Sequence, residues 1–443
     1  MQTGTLLASR LPVLRQLLAA VLLVGVVLAG ANHAPALAQF VAAQAERGGT
    51  LPWPMPVLPA DNWWNQDISQ APVDSRSAQF IAFINNGGTR RLHPDFGAFE
   101  YPGSIGIYGF PYVVVTGQQP KRAVVFDYHD ESDGVDHSTG QSYPFYPIPD
   151  EAITQPYWIE GGYPGDSTAG GDRHMLIVDR DNRHLYELFD VRWNGSQWTA
   201  GSGAFFDLKT NMRRPEGWTS ADAAGLAIFP GLVRIDEIIA PEEIRHAYRV
   251  TVRATNGYVW PASHRAGTNP QALPMGARLR LKASKDLSGY HPGIQKLFRA
   301  FQRYGLIVAD NGSDMYVSGT FDPRWPNDIL NPAFRSLTAN DFDVIELGWR
   351  GGGTGCPTPG STSPFNYSQS GAYVVLVWAG AAYAEDYVIE VGSAPGLANV
   401  LVTSLGRTTS VGTVAPPGRY YARIRAKNRC GFGPASNEIV VTI

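Results

Sequence analysis

Cysteine is nearly absent from this chain of 443 residues: Cys356 and Cys430 are the only two, both near the C-terminal end. That excludes a disulfide-dense miniature fold and a cysteine-rich metal centre. Concentrated positive charge is missing too. With a formal net charge of −3 and no Lys/Arg cluster, the chain lacks the basic face that nucleic acid or an anionic membrane surface requires. The longest apolar stretch, Leu17 to Ala29, has 13 residues, short of the ~20 that span a bilayer as a helix. Neither a P-loop nor His-Glu-x-x-His nor Gly-x-Ser-x-Gly occurs, which removes the strongest nucleotide, zinc-protease and nucleophile-elbow signatures.

What the N-terminus does contain reads as an export signal over residues 1–38. Arg10 and Arg15 give the positive flank, the 13-residue stretch the apolar centre, and Ala36-Leu37-Ala38 the small-x-small site before Gln39. The mature chain is therefore expected outside the cytoplasm, secreted or periplasmic, without membrane attachment. In that oxidising setting Cys356 and Cys430 could pair. Closing their loop of about 75 residues would stabilise by ~4 kcal/mol on the chain-entropy account.

Forty-eight glycines and 33 prolines with few helical runs predict a mainly β protein. Residues 39–60, with the Pro-alternating run Leu51 to Pro56, read as an extended lead-in outside the core. The main domain is placed at 61–350, a Gly-rich linker at 351–356, and a small module at 357–443. The main domain is expected as a large β-sandwich, jelly-roll-like or barrel-like, with one or two helices.

Tyr112–Val115 and Ala123–Phe126 are short β-branched runs, and Met175–Val178 and His184–Leu188 flank the hairpin loop 179–182. Tyr248–Arg253 alternates and meets the turn signal Asn256-Gly257, before Tyr258-Val259-Trp260; Leu279 and Leu281 share one face of another strand. Pro292, then Ile294, Leu297, Phe298 and Phe301, then Gly305 spell one clear helix leading into Leu306-Ile307-Val308. A second, shorter helix is expected to start at Ser220, with Asp222 complementing its dipole.

The last 87 residues resemble fibronectin type III modules. Trp378 sits in an alternating strand like that family's core tryptophan. Tyr387–Val391 is similar to its third strand, Pro417–Asn428 to its late strand, and Ser436-Asn437-Glu438 to its closing turn. Tyr420, Ala422, Ile424 and Ala426 share one face, which would make Tyr420 the tyrosine-corner residue. In secreted bacterial proteins such modules resemble spacers on carbohydrate-active domains. The segment from Asn62-Trp63-Trp64-Asn65 to Asp341-Phe342-Asp343 resembles secreted bacterial proteins of undefined activity, which carries no site residues across.

Ten of the eleven tryptophans fall between Trp53 and Trp349. Sugar rings stack their C–H faces on indole, although cores favour the same residues. Trp158, Trp63, Trp64, Trp218 and Trp260 are the candidates for binding a glycan. Glu160, between Trp158-Ile159 and Gly161-Gly162, is the candidate acid, because apolar burial raises a carboxyl pKa. Asp172 and His174 lie two apart before the Met175 strand and should share a face, giving a base or nucleophile with a histidine tuning it. The structural alternative is a turn-capping Asp172 and a sheet-packed His174.

Three further patterns are weaker. Asp127–His137 holds five carboxylates and two histidines, enough for a structural calcium but without the spacing of a known calcium loop. His93, His174 and His264, each near a strand end, could assemble a transition-metal site. Gly165-Asp166-Ser167 has the opening letters of one lipase family without its second, late Asp-x-x-His block. No cofactor is called for by any motif.

The reading that gathers most of this is a secreted glycoside hydrolase cleaving polysaccharide with a carboxylate pair. A non-catalytic glycan-binding or surface-adhesion protein shares the composition without needing perturbed carboxylates. A metal-dependent hydrolase, lyase or oxidase would instead use the histidines.

Overall fold

The computed structural model describes residues 44–51, 53, 55–350, 359–428 and 431–443. The export signal, the linker at 351–356 and both cysteines lie outside the described residues. The architecture is mainly β, in several sheets with few helices, and among the described residues every sheet is open, so no barrel closes. No helix among the described residues is long and apolar enough to cross a membrane.

Two large sheets carry the main domain, together with a three-stranded sheet of Val124–Phe126, Trp198–Ala200 and Arg192–Trp193 and a two-stranded ladder of Val135–Asp136 and Gln141–Ser142. The first orders Glu46–Arg47, Tyr112–Val115, Met175–Asp179, His184–Phe189 and Ser202–Asp207. The Met175 strand is apolar from Met175 to Val178 because both its faces are covered. Leu176 and Val178 join one core with Leu185 and Phe206, whereas Met175 and Ile177 join another with Val113, Val115 and Leu188. The 179–182 loop does form the expected hairpin, pairing Asp179 with His184.

The second sheet orders Phe342–Val344, Arg278–Leu281, Leu306–Asn311, Tyr248–Val252, Tyr316–Ser318 and His93–Asp95. The helix Pro292–Arg303 buries Ile294, Leu297, Phe298 and Phe301, as its periodicity predicts. His291 caps its start by accepting from the Gly293 amide. Gly305 ends it at φ 77°, where a Cβ would stand 2.6 Å from the Leu279 carbonyl oxygen.

Several expectations fail for identifiable reasons. Four α-helices are present among the described residues, not one or two: Ser77–Asn85, Ile235–Ile239, Pro292–Arg303 and Asn327–Ser336. The first has no side-chain N-cap and the last contains Pro332, so neither announces itself. No helix begins at Ser220; its hydroxyl turns a loop by bonding the Asp222 amide and the Leu226 carbonyl. Asn256-Gly257 makes no hairpin, because Tyr258 bridges in parallel to Met275 and not back to the Tyr248 strand. The lead-in is no free tether either. Glu46–Arg47 pairs with Tyr112–Val115, and Val57 and Leu58 enter the larger core.

Residues 359–428 and 431–443 build a two-sheet sandwich with its own core around Trp378, Tyr387, Ile389, Ile424 and Val441. Phe365–Ser370, Tyr373–Trp378 and Ser410–Val414 form one sheet; Leu401–Ser404, Asp386–Gly392 and Arg419–Asn428 lead the other. The closing strand splits into Gly431–Ala435 and Ile439–Thr442, both paired to Arg419–Asn428. Ala422, Ile424 and Ala426 point inward as the alternation requires, and the Tyr420 hydroxyl donates back to the Pro416 carbonyl at 3.1 Å.

Candidate functional site

A buried charge network joins the two large sheets of the main domain. Gly161 and Gly162, at φ 78° and 87°, reverse the chain just after Glu160. Only glycine fits at 162, where a Cβ would meet the Ile105 carbonyl oxygen at 2.0 Å. The reversal lays Glu160 against the start of the Met175 strand. Its amide donates to the His174 carbonyl at 2.9 Å, and Oε2 receives His174 Nδ1 at 2.6 Å and the His174 amide at 3.2 Å.

His174 Nε2 faces the Ala221 carbonyl at 2.9 Å. Both ring nitrogens thus meet groups that only accept, so both carry a proton and the ring is cationic. Burial pulls its pKa down, but the Glu160 charge and hydrogen bond outweigh burial and push it up to about 9. Glu160 is the mirror case. Burial pushes its carboxyl up, and the His174 charge and hydrogen bonds more than reverse that, holding it below the usual range. Glu160 is therefore an ionised carboxylate, not the protonated donor the sequence suggested. Its Oε1 takes no hydrogen bond among the described residues.

The presumed Asp172–His174 pair does not form. Arg173 stands between them at φ 50°, its guanidinium buried on the Val191 and Pro164 carbonyls, so strand parity stops at His174. His174 turns inward to Glu160, and Asp172 faces solvent, close enough to act on His174 by charge alone.

Arg249 is the second pivot, and the sequence showed it only as a lone charge in an apolar strand. Its Nε and Nη2 hold Asp222 at 2.8 and 2.9 Å, Nη2 reaches Asp310 at 3.0 Å, and Nη1 donates to Ser318 Oγ at 2.6 Å. A bulge makes the Asp310 contact. Val250 pairs with Val308 and Thr251 with Asp310, so the extra Ala309 sets Asp310 on the face that Thr251 and Arg249 share. Burial raises Asp310 to about 6 against the pull of Arg249.

Asp222, expected as a dipole partner, is fully buried in this network. Its neighbours act through their carbonyls: Ala221 receives His174 Nε2, and Ala223 receives His264 Nδ1 at 2.9 Å.

Asp95 completes the group. It sits opposite Ser318 in the parallel ladder, two strands from Arg249 with the Tyr316–Ser318 strand between them. Its carboxyl reaches solvent and takes no hydrogen bond among the described residues. Crowding by protein raises its pKa, the Glu160 charge raises it further, and Arg249 and His93 oppose.

Other sequence candidates lie elsewhere. Trp63, Trp64 and Trp158 are buried in the cores, Trp260 stands edge-on to Trp63 at 6.2 Å, and half-buried Trp218 meets His137 and Arg214. None is an exposed platform. Two of the acidic loop's five carboxylates are spent internally: Asp133 pairs with Arg214 and accepts from the Phe205 amide, and Glu131 accepts from the Thr219 amide, while Asp127, Asp130 and Asp136 are exposed. His93 stacks on Tyr316 at 4.2 Å, apart from the contacts that engage His174 and His264. Among the described residues, no group of three or more His, Cys, Asp or Glu is placed to hold a metal ion.

No family model matches the chain, and no curated protein matches it. Solved structures do. A structure titled "FN3tt mut" shares 15% identity over 19% of this chain and 97% of its own, with a TM-score of 0.17. The FN5 domain of Drosophila Lar shares 20% over 19% and 96%, with a TM-score of 0.17. An Fn3-like protein from Clostridium thermocellum shares 19% over 19% and 88%, also with a TM-score of 0.17.

Proposed function

We propose that the chain is a secreted glycoside hydrolase acting on polysaccharide, with a fibronectin type III module at residues 357–443. In this reading Glu160 is the base or nucleophile and Asp95 the acid. The observation that carries it is the opposite perturbation of two accessible carboxyls on one charge network. Glu160 is held ionised by His174, while the protein crowded around Asp95 and the Glu160 charge push that carboxyl toward its protonated form. Carboxyls separated in this way divide the acid and base roles at one pH.

Asp95 protonates the leaving glycosidic oxygen. Glu160 Oε1, free of protein partners, attacks the anomeric carbon or deprotonates a water that does so. His174 keeps Glu160 charged and in place. Arg249 fixes Asp310 and Ser318, and through Ser318 the strand next to Asp95. Asp172, assigned as the base from the sequence, becomes a solvent-facing charge beside the pair.

The test is release of reducing ends from a polysaccharide panel by wild type, D95N and E160Q. E160Q should lose activity on every substrate. D95N should lose ~10²–10⁴-fold on the polymer but little on aryl glycosides whose leaving group needs no proton. Full activity in either variant on the polymer would remove its role. Binding without release by wild type would leave a glycan-binding protein.

A further inference from the structure

We infer that the aromatic cleft beside Glu160 is a subsite that seats one pyranose ring of the polymer, with Arg47 as its polar anchor. This rests on the hydrolase reading above. The cleft, of ≈ 270 Å³, is lined by Phe99, Tyr157, Phe321 and Arg47 together with Tyr112 and Asp322. That is just below the roughly 300–1,000 Å³ of most ligand pockets, and it suits a single ring better than a long segment.

Its walls belong to the loops that carry the reacting groups. Tyr157 is three residues from Glu160, so their Cα atoms lie within ~11 Å at ~3.8 Å per residue. Phe99 is four residues past Asp95, within ~15 Å by the same reckoning. Phe321 is three residues past Ser318, which pairs with Asp95. Phe110, whose backbone receives the Phe321 amide, packs on His174 with ring centres 5.2 Å apart.

The rings hold one another. Tyr157 stacks on Phe321 at 5.9 Å and 22°, and Phe99 meets both edge-on at 5.5 and 5.2 Å. Tyr157 adopts φ 69°, a conformation uncommon for a bulky residue. Its amide on Gly162 and its hydroxyl on Ser104 keep it there. All three rings are only half-buried.

Arg47 is exposed, with its guanidinium 5.7 Å over Tyr157 and 5.5 Å over Trp158. A single bond to the Pro156 carbonyl leaves its other donors open to ligand oxygens. Asp322 is already engaged by Arg324, so Arg47 is the cleft's available charge. Aromatic rings for the C–H face of a sugar and one fork of donors for its oxygens are the chemistry a pyranose recognises.

The experiment measures binding of cellotetraose, xylotetraose, mannotetraose and tetragalacturonate to E160Q by calorimetry, then to E160Q carrying F99L or R47Q. Circular dichroism and melting checks confirm that each variant folds. At least one probe should bind. Each added substitution should weaken it roughly tenfold, the loss of one stacked ring or one charged contact. Loss with R47Q greater for the galacturonate than for the neutral probes would make the ring an acidic sugar; equal loss would make it neutral. Unchanged affinity in both variants, or no binding by any probe, overturns the subsite. Wild type that releases reducing ends while F99L and R47Q leave KM untouched removes the subsite alone. Binding by E160Q that R47Q weakens, without release by wild type, removes the hydrolase and keeps the subsite.

Discussion

Raising the pH from 6 to 10 should destabilise the main domain through one ring, His174. Its pKa rises from 6.5 to about 9 on folding, so the native state holds that proton more tightly than the unfolded chain. The stabilisation is complete below pH 6.5, declines by ~1.4 kcal/mol per pH unit above it, and is gone beyond pH 9. Over the whole window this is about 3 kcal/mol, undiscounted because the His174 side chain is only 3% exposed. Glu160 works from the acid side: its lowered pKa gives stability above its unfolded value that is lost as pH falls through the native one. Urea midpoints of wild type and H174Q, taken at each pH unit from 6 to 10, isolate the effect. The stability difference between the two proteins should shrink by about 3 kcal/mol toward pH 10. A difference that stays constant across the range would refute the cationic His174–Glu160 pair, and with it the argument that Glu160 is held ionised.

Three other outcomes follow from the same network. D222N leaves Arg249 buried with half its bidentate partner, and should cost ~3–5 kcal/mol in urea unfolding. Glu187, buried beneath the Ile228 and Phe229 amides, is raised to about 7. The native state keeps its proton longer, so its contribution falls by about 3 kcal/mol between pH 4.5 and pH 7. E187Q should remove that decline, visible as a pH-dependent gap from wild type. G162A meets the Ile105 carbonyl and should lower stability by about 2 kcal/mol or more. G161A, with open space around its Cβ, should cost about half that, and melting temperatures in the reverse order would sink the steric account.

The strands themselves were legible where β-branched runs are bounded by turns, and the Pro292 helix where apolar spacing and its glycine stop agree. Partner choice was not. Tyr112–Val115 and Val124–Phe126 are neighbours in sequence yet join different sheets, a decision made by burial on two faces and not by local propensity. The site was half visible. Glu160 and His174 stood out as residues, but their pairing depends on a Gly-Gly reversal and on the left-handed Arg173, neither of which periodicity encodes. Asp95 and Asp310 are more than 200 residues apart in sequence and are linked only through Arg249 and Ser318. A lone arginine in an apolar strand was the available clue, since a guanidinium there demands carboxylate company. The tryptophans misled because the physics that suits indole to sugars suits it equally to interiors.

Residues 221–223 knit together three side chains contributed by distant parts of the fold. Two of those knots are tied by main-chain oxygens, which every amino acid supplies, so Ala221 and Ala223 can drift to any residue that fits the space. Asp222 has no such freedom. Variation through this short stretch should therefore spare one letter and loosen its neighbours, and a shift of a single position by insertion or deletion would unfasten all three at once.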